Sequence, residues 1–426
     1  MEPGHINANT AKASGFKLTF RALGSRNYRL FFSGQGISLI GTWTQQVAVS
    51  WLVYRLTGSS LLLGTVAFCN QVPMFFLAPF AGVVADRWNR KRLLILTQSL
   101  SMVQALILAA LVLTSVIQTW HIVVLSLFIG TVNAFDVPIR QSFVPEMVGK
   151  KEDLANAIAL NSALFNCARF IGPSVAGILI STLGEGVCFL VNGISYVAVI
   201  MALAAIRVSS GKRKDGKVAV LRELRDGITY AYNFKPILAI LLLIATISLA
   251  GGSYIVLMPV YAKEILHGGA HTFGFLMSAT GIGALSATMY LASRKSVHGL
   301  IRKIPLATMA CGLAITAVAL SRNFAFSMVC LFFMGFGMLT QIASSNTIIQ
   351  TIVDEDKRGR VMSLFAVALM GMMPFGSLLA GAVAEKFGVP DTLLLGAVVC
   401  LLGALAFAGK LPRLNEMLRP IFAKIE

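Results

Sequence analysis

Charged residues are scarce in this sequence, and their scarcity excludes a water-soluble protein. Only 13% of the 426 residues are charged, whereas 56% are hydrophobic. A soluble fold keeps its surface polar, and so few charges leave most of the outside without solvating groups. Much of the apolar surface must therefore face lipid, which indicates a polytopic membrane protein.

Several functional motifs are missing as well. No GxxxxGK[ST] string occurs, which excludes an ATP-driven pump subunit. The six cysteines show no CxxC or Cys/His spacing, so we expect neither a metal site nor a cofactor. Residues 1–15 are polar and lack the short apolar block of a cleaved signal, so the first membrane segment is expected to direct targeting.

Long apolar stretches recur along nearly the whole chain. A bilayer core about 30 Å thick needs about 20 helical residues, and twelve stretches meet that requirement. They are 30–54, 61–85, 93–117, 121–144, 155–182, 186–206, 237–262, 272–293, 303–320, 324–350, 361–385 and 390–409. All are much longer than barrel strands of about ten residues. The sequence therefore predicts an all-α membrane protein with twelve transmembrane helices.

Positive charge is distributed unevenly between the loops. With the N-terminus in the cytoplasm, 31 of the 36 lysine and arginine residues fall on the cytoplasmic side. This asymmetry follows the positive-inside rule and predicts that both termini are cytoplasmic. It also accounts for the net charge of +18, so we expect no nucleic-acid partner.

One long loop divides the predicted helices into two sets of six. We expect a cytoplasmic tail at 1–29, a six-helix bundle at 30–206, a linker with an amphipathic interfacial helix at 207–236, a second bundle at 237–410 and a tail at 411–426. The halves share weak likeness: GPSVAGILI at 172–180 resembles GSLLAGAVA at 376–384, and Leu63-Gly64 resembles Phe273-Gly274. Two pseudo-symmetric bundles are typical of secondary transporters.

The loop after the second predicted helix, GVVADRWNRKR at 82–92, is the most specific local pattern. Gly82 permits close helix packing, and Asp86 is placed to meet a helix N-terminus or Arg90. Asn89 is a residue that tolerates a left-handed turn. This pattern predicts a conformational latch, and the alternative is a cation cluster that only fixes topology.

At these residues the chain resembles the major facilitator superfamily. The superfamily's loop motif is matched by Gly82, Asp86, Arg87, Arg90 and Lys91. Its antiporter motif of small residues on helix five corresponds to Ala159, Ala168, Gly172, Pro173, Ala176 and Gly177, with alanine in place of glycine at three positions. The stripe would allow tight helix packing and a bend at Pro173, although ordinary packing gives the same composition.

Further segments resemble one branch of that superfamily, the enterobactin exporters and macrolide efflux proteins (drug:proton antiporter-3). These segments are 144–173, 222–230 and 358–363. The resemblance implies export of a siderophore-like or drug-like amphiphile across the bacterial inner membrane, with the proton as coupling ion. One departure is Ser126, which stands where the branch's helix-four arginine is expected, so coupling through that position is not predicted.

Few ionisable residues lie within the predicted helices, and three of them are candidates for function. Asp136 and Arg140 are four residues apart on one face, which suits either a structural ion pair or a role in coupling. Arg169 lies deep in the fifth helix, where a charge needs a polar cavity or a partner, and we expect it to contact an anion or substrate. Their depths differ too much for a bridge between Arg169 and Asp136.

The resemblance implies that helices one, four, seven and ten line a central cavity. Their polar residues are therefore substrate or coupling candidates: Gln35, Thr42, Gln45, Gln46, Gln341 and Asn346. About half of such residues form ordinary interhelical hydrogen bonds instead. Trp43, Phe135 and Tyr254 could offer aromatic surface to a ring-bearing substrate.

Other functions compete with transport as readings of this sequence. A membrane enzyme would rest on His267 and His271, but two glycines separate them and no carboxylate cluster joins them. A non-transporting sensor or scaffold, or a flippase for a lipid-type substrate, remains open on composition alone. The expected partners are a small molecule, the proton and the bilayer, and we expect a monomer.

Overall fold

The computed structural model describes residues 20–208, 228–252, 254–294, 296–297, 299–355 and 357–422. The side chains at 78, 79, 82, 83, 85–87, 151 and 420–422 also lie outside the described part. Every structural statement below concerns the described residues.

Twelve long helices make up this part of the chain. They are α1 (Arg26–Thr57), α2 (Ser60–Arg87), α3 (Arg90–Leu113), α4 (Thr119–Met147), α5 (Leu154–Leu183), α6 (Glu185–Ala205), α7 (Lys235–Ile265), α8 (Ala270–Ala292), α9 (Leu300–Leu320), α10 (Phe324–Ile352), α11 (Arg358–Phe387) and α12 (Val389–Phe422). Each overlaps one predicted span, so the prediction of twelve helices is confirmed. Eleven are apolar enough to cross a membrane by composition, and the exception, α1, carries many Gln, Ser and Thr residues.

The helices form two six-helix bundles. In the first, α1 packs on α5 and α6, α2 on α4, and α3 on α6. In the second, α8 and α9 pack on α10, and α7 and α9 pack on α12. The bundles meet mainly through two helix pairs, α2 with α11 and α5 with α8, and α7 also contacts α1 and α2. This is the predicted architecture of two pseudo-symmetric halves.

Two glycines with positive φ mark the same point in each half. Gly184 ends α5 with φ 82°, and Gly388 ends α11 with φ 85°. A side chain would be strained there, so glycine allows the next helix to begin at once. The repeat seen at 172–180 and 376–384 thus extends to an identical turn at the end of both helices.

Helices α7 and α11 are interrupted. In α7, Lys235–Ala250 is separated from Tyr254–Val260, and a π-helical turn follows at Tyr261–Ile265. In α11 a π-helical turn occupies Val367–Gly371. Irregular backbone at membrane depth is tolerated where protein surrounds it, and such turns often occur at functional sites.

The last helix extends beyond the predicted span of 390–409. Helix α12 continues to Phe422, so residues 411–422 of the predicted tail are helical. The reason is that Leu414 and Leu418, four residues apart on one face, are buried in the core of the second bundle. Of the predicted linker helix, residues 209–227 lie outside the described part, and residues 228–233 are helical.

Successive connections alternate between the two ends of the molecule. One end, called the closed end because the bundles touch there, carries the α1–α2, α3–α4, α5–α6, α7–α8, α9–α10 and α11–α12 connections. The opposite end, called the basic end because its connections are rich in lysine and arginine, carries the α2–α3, α4–α5, α8–α9 and α10–α11 connections.

Candidate functional site between the two bundles

At the closed end, α2 and α11 make direct contact through glycines. A Cβ atom on Gly64 would lie 2.6 Å from the Ser377 carbonyl oxygen, and one on Gly381 would lie 2.5 Å from the Ser60 carbonyl oxygen. Neither position has room for a side chain because the obstacles are backbone atoms. The two helices therefore pack backbone against backbone at these glycines.

A carboxylate reinforces this contact. Glu385 of α11 accepts hydrogen bonds from the Ser59 hydroxyl (3.1 Å) and the Leu61 amide (3.0 Å). Both donors belong to the N-terminus of α2, where unpaired amides and the helix dipole favour a negative charge. Glu385 thus caps a helix of the opposite bundle.

The α5–α8 pair repeats the arrangement. A Cβ atom on Gly274 would lie 2.5 Å from the Pro173 carbonyl oxygen and 2.8 Å from the Gly177 Cα. The hydroxyls of Ser174 and Ser278 are 2.7 Å apart. The glycines that match between the halves, Gly64 with Gly274 and Gly177 with Gly381, are therefore the ones that hold the bundles together.

Helices α1 and α7 complete the seal. The Tyr54 hydroxyl donates a hydrogen bond to Glu264, and the Lys263 ammonium lies 5.3 Å from the centre of the Tyr54 ring. One turn inward, Trp51 stacks on Phe273 of α8 with ring centres 6.3 Å apart. These five residues join one bundle to the other at the closed end.

Farther from the seal, Arg169 lies near the middle of α5. Its guanidinium is 5.9 Å from the centre of the Trp43 ring on α1, and that ring meets Phe165 edge to face at 5.7 Å. The buried Tyr254 hydroxyl of α7 faces Arg169 and Thr280 without a well-formed hydrogen bond. Four helices from both bundles thus contribute to one polar and aromatic site.

Pro173 helps to shape this site. Because proline has no amide hydrogen, the carbonyl four residues earlier, that of Arg169, loses its helical partner. That carbonyl faces Gly281 of α8, where a Cβ atom would lie 3.1 Å from it. The predicted small residue stripe accordingly places α5 against α8 directly beside Arg169.

Asp136 forms a separate site within the first bundle. Its Oδ1 accepts hydrogen bonds from the Thr97 hydroxyl (2.7 Å) and the Gln98 amide (2.8 Å), both on α3. Its Oδ2 lies 3.5 Å from Arg140 Nε, so the ion pair considered from the sequence is present. The carboxylate is 4% exposed, which makes it a buried charge with three partners. No bridge links it to Arg169, as expected from their depths.

The predicted latch lies at the basic end. The side chains of Gly82, Asp86 and Arg87 lie outside the described part of the chain. Arg90 Nη1 is 2.6 Å from Glu146 Oε1, and Lys91 donates to the carbonyls of Ala204 and Ile206.

Asn89 does not use the left-handed conformation that asparagine tolerates. It has φ −68° and ψ 110° and caps α3, its side-chain oxygen accepting the Arg92 amide at 3.1 Å. A residue that caps a helix start in this way takes an extended backbone conformation, because its side-chain oxygen must reach an amide that has no partner within the helix.

The predicted cavity residues separate into two groups. Thr42 and Gln46 on α1 are exposed, whereas Gln35, Gln45 and Gln341 are buried. Gln45 bonds to Gln104 and Asn192 inside the first bundle, Gln341 bonds to Ser345, and Asn346 accepts from Gln350. Because helices surround most of α1, its exposed polar face at mid-span indicates an aqueous space between the bundles.

The residues of the antiporter-type stripe differ in burial along α5. Ala168, Gly172, Pro173, Ala176 and Gly177 are buried, and Gly172 packs against the Trp43 side chain. Ala159, nearer the basic end, is exposed. The stripe therefore packs toward the closed end and is uncovered toward the basic end.

Sequence reasoning missed the contacts that seal the closed end. Tyr54, Glu264 and Glu385 lie at the ends of predicted helices, where polar residues are ordinary. The available signal was that two of the few acidic residues, Glu264 and Glu385, fall on the side with few cations. Only the topology shows that their partners belong to the other bundle.

Comparisons with known proteins agree with this architecture. The family model described as transmembrane secretion effector matches residues 18–421. The staphyloferrin A transporter of Staphylococcus aureus is 28% identical over 85% of this chain and 91% of its own length. The multidrug efflux pump Tap of Mycolicibacterium fortuitum is 26% identical over 90% of this chain and 94% of its own length.

Solved structures share the fold. The nucleoside transporter NupG superposes with a TM-score of 0.72 at 12% identity, covering 90% of this chain and 99% of that one. A bacterial homologue of the lysosomal transporter Spinster, in an inward-facing and occupied conformation, gives 0.71 at 12% identity, covering 90% and 96%. Because the family model spans nearly the whole chain, the protein belongs to the transmembrane secretion effector family, efflux transporters of the major facilitator superfamily.

Proposed function

We propose that this transporter exports an amphiphilic small molecule from the bacterial cytoplasm by alternating access, coupled to proton entry. The observation that carries the proposal is that the bundles are sealed together at the closed end, whereas the mid-span site is exposed toward the basic end. Alternating access requires that one end of the interface is closed while the other is open. The positive-inside rule assigns the basic end to the cytoplasm, so the described conformation is inward-facing and both termini are cytoplasmic.

The substrate proposal draws on the relatives. One relative is named for a siderophore and others for drugs or macrolides. The mid-span site combines a guanidinium with aromatic rings, which suits a molecule that has both polar and apolar parts. Asp136 is the proposed proton-binding residue because it is the one buried carboxylate at mid-span among the described residues.

Transport in everted membrane vesicles tests the function. We expect a fluorescent amphiphilic dye or a labelled siderophore to accumulate in energised vesicles, and a protonophore to collapse that gradient. A sensor or scaffold would give no accumulation with or without the protonophore. A flippase would instead move a fluorescent phospholipid between leaflets and leave the water-soluble probes outside.

The proposed latch gives a separate prediction. Asp86→Asn removes the charge that we expect to hold a facing helix end, so transport is expected to fall at least about tenfold with protein level unchanged. Asp391→Asn, which removes an exposed carboxylate at the first turn of α12, is the matched control and is expected to transport normally. A normal rate in Asp86→Asn would show that the motif only fixes topology.

A further inference from the structure

The charge at the mid-span site has no counter-ion. Arg169 is about 22 Å along α5 from its first residue, at the depth where a charge is most costly in a bilayer. Four ion pairs occur between described residues, and none includes Arg169. Asp136, the buried acidic residue of α4, lies nearer the basic end and already has Thr97, Gln98 and Arg140 as partners. The site therefore carries one uncompensated positive charge.

The surroundings of Arg169 leave its hydrogen-bond donors available. Trp43 stacks beside the guanidinium and offers a π face but no acceptor atom, since indole only donates. The buried Tyr254 hydroxyl faces Arg169 and Thr280 and forms no well-formed hydrogen bond with either. The guanidinium and this hydroxyl thus converge on a point where the described protein supplies no anion.

Carboxylate, phosphate and sulfonate groups fit this arrangement. The planar guanidinium binds such groups through two parallel hydrogen bonds, and a phenol hydroxyl adds a third donor. Trp43 and Phe165 provide apolar surface immediately next to the charge. A cation at the same place would be repelled by the positive charge of Arg169.

We propose that Arg169 binds the anionic group of the exported molecule, so that the substrate class of this transporter is anionic amphiphiles rather than cationic ones. This inference rests on the proposed function for the identity of the site but concerns binding alone. The substrate's anion supplies the counter-charge that the protein lacks, and its apolar body lies against Trp43 and Phe165.

Equilibrium binding of two dyes tests the proposal. Carboxyfluorescein and tetramethylrhodamine methyl ester share a xanthene ring system and carry opposite charges. The purified full-length protein is placed in phosphatidylcholine nanodiscs, which have no net lipid charge, and empty nanodiscs provide the background. We expect the wild-type protein to bind the anionic dye at least about tenfold more tightly than the cationic one.

Substitutions then assign the preference to one side chain. Arg169→Gln is expected to weaken the anionic dye about tenfold and leave the cationic dye unchanged or tighter, whereas Arg169→Lys keeps the sign of the preference but loses part of it. Arg322→Gln removes an exposed cation from the loop between α9 and α10 and is expected to change neither affinity.

Equal or tighter binding of the cationic dye by the wild-type protein would overturn the proposal. So would an equal loss for both dyes in Arg169→Gln, which is the behaviour of a packing residue. Binding is measured without a gradient, so the result tests the role of Arg169 independently of the proposed export activity. Anion preference without transport contradicts the exporter function, and transport restricted to cations contradicts the assignment of Arg169.

Discussion

Replacing Gly274 by valine is expected to keep the closed end from sealing and to lower transport roughly a hundredfold. The new side chain would meet the Pro173 carbonyl oxygen at 2.5 Å and the Gly177 Cα at 2.8 Å, and neither atom can turn away. Overpacking of this kind costs on the order of 3 kcal/mol, which corresponds to about a hundredfold in a two-state equilibrium. The cost falls on the conformation in which α5 and α8 touch.

Labelling of the mid-span site measures that equilibrium. In a cysteine-free background, Gln46→Cys places a thiol on the exposed face of α1, and a membrane-impermeant reagent is applied from the outer side. We expect Gly274→Val to raise the labelling rate strongly. Gly403→Val is the control, because a Cβ atom there meets only flexible ends of Leu243 and Thr246 at 3.3 and 3.6 Å. Unchanged labelling together with normal transport would contradict the proposed role of the glycine contact.

Asp136→Asn is expected to abolish proton-driven accumulation while preserving exchange of substrate. Asparagine retains an oxygen for Thr97 and Gln98 but cannot gain or lose a proton near neutral pH. We expect accumulation driven by a pH gradient to fall about a hundredfold, and exchange without a gradient to stay within about threefold. Parallel measurements in the same proteoliposomes separate the two activities.

The control for Asp136 is a second paired carboxylate of the same bundle. Glu185→Gln breaks the ion pair with Arg55, whose nitrogen lies 2.7 Å from Glu185 Oε1, but leaves the mid-span residues untouched. We expect it to retain coupled accumulation. If Asp136→Asn still accumulated substrate against a gradient, another group would have to bind the proton. If exchange were lost as well, Asp136 would be a structural residue whose removal leaves Arg140 unpaired.

The general architecture was accessible from the sequence because a lipid environment imposes simple rules. A span must be apolar for about 20 residues, and cations mark one side, so the twelve helices could be predicted without any knowledge of packing. Even the spacing of Asp136 and Arg140 predicted a contact, since residues four apart share a helix face.

Contacts between distant helices were not accessible in the same way. Gln45 and Gln46 are adjacent and chemically identical, yet one is buried among Gln104 and Asn192 and the other is exposed. Which one faces the cavity depends on the rotation of α1, and mixed polar residues do not fix that rotation. Glu264 and Glu385 likewise became informative only once the structure brought Tyr54 and the start of α2 beside them.

The chemistry of the outer seal bears on the medium in which the transporter can work. Among the described residues, each polar contact across the seal pairs at most one full charge with a neutral group: a carboxylate with a hydroxyl or an amide, and an ammonium with a ring. Dissolved ions weaken the attraction between two exposed charges far more than they weaken these short contacts and the packing of the glycines. The balance between the two conformations is therefore expected to be nearly the same in dilute and in saline surroundings.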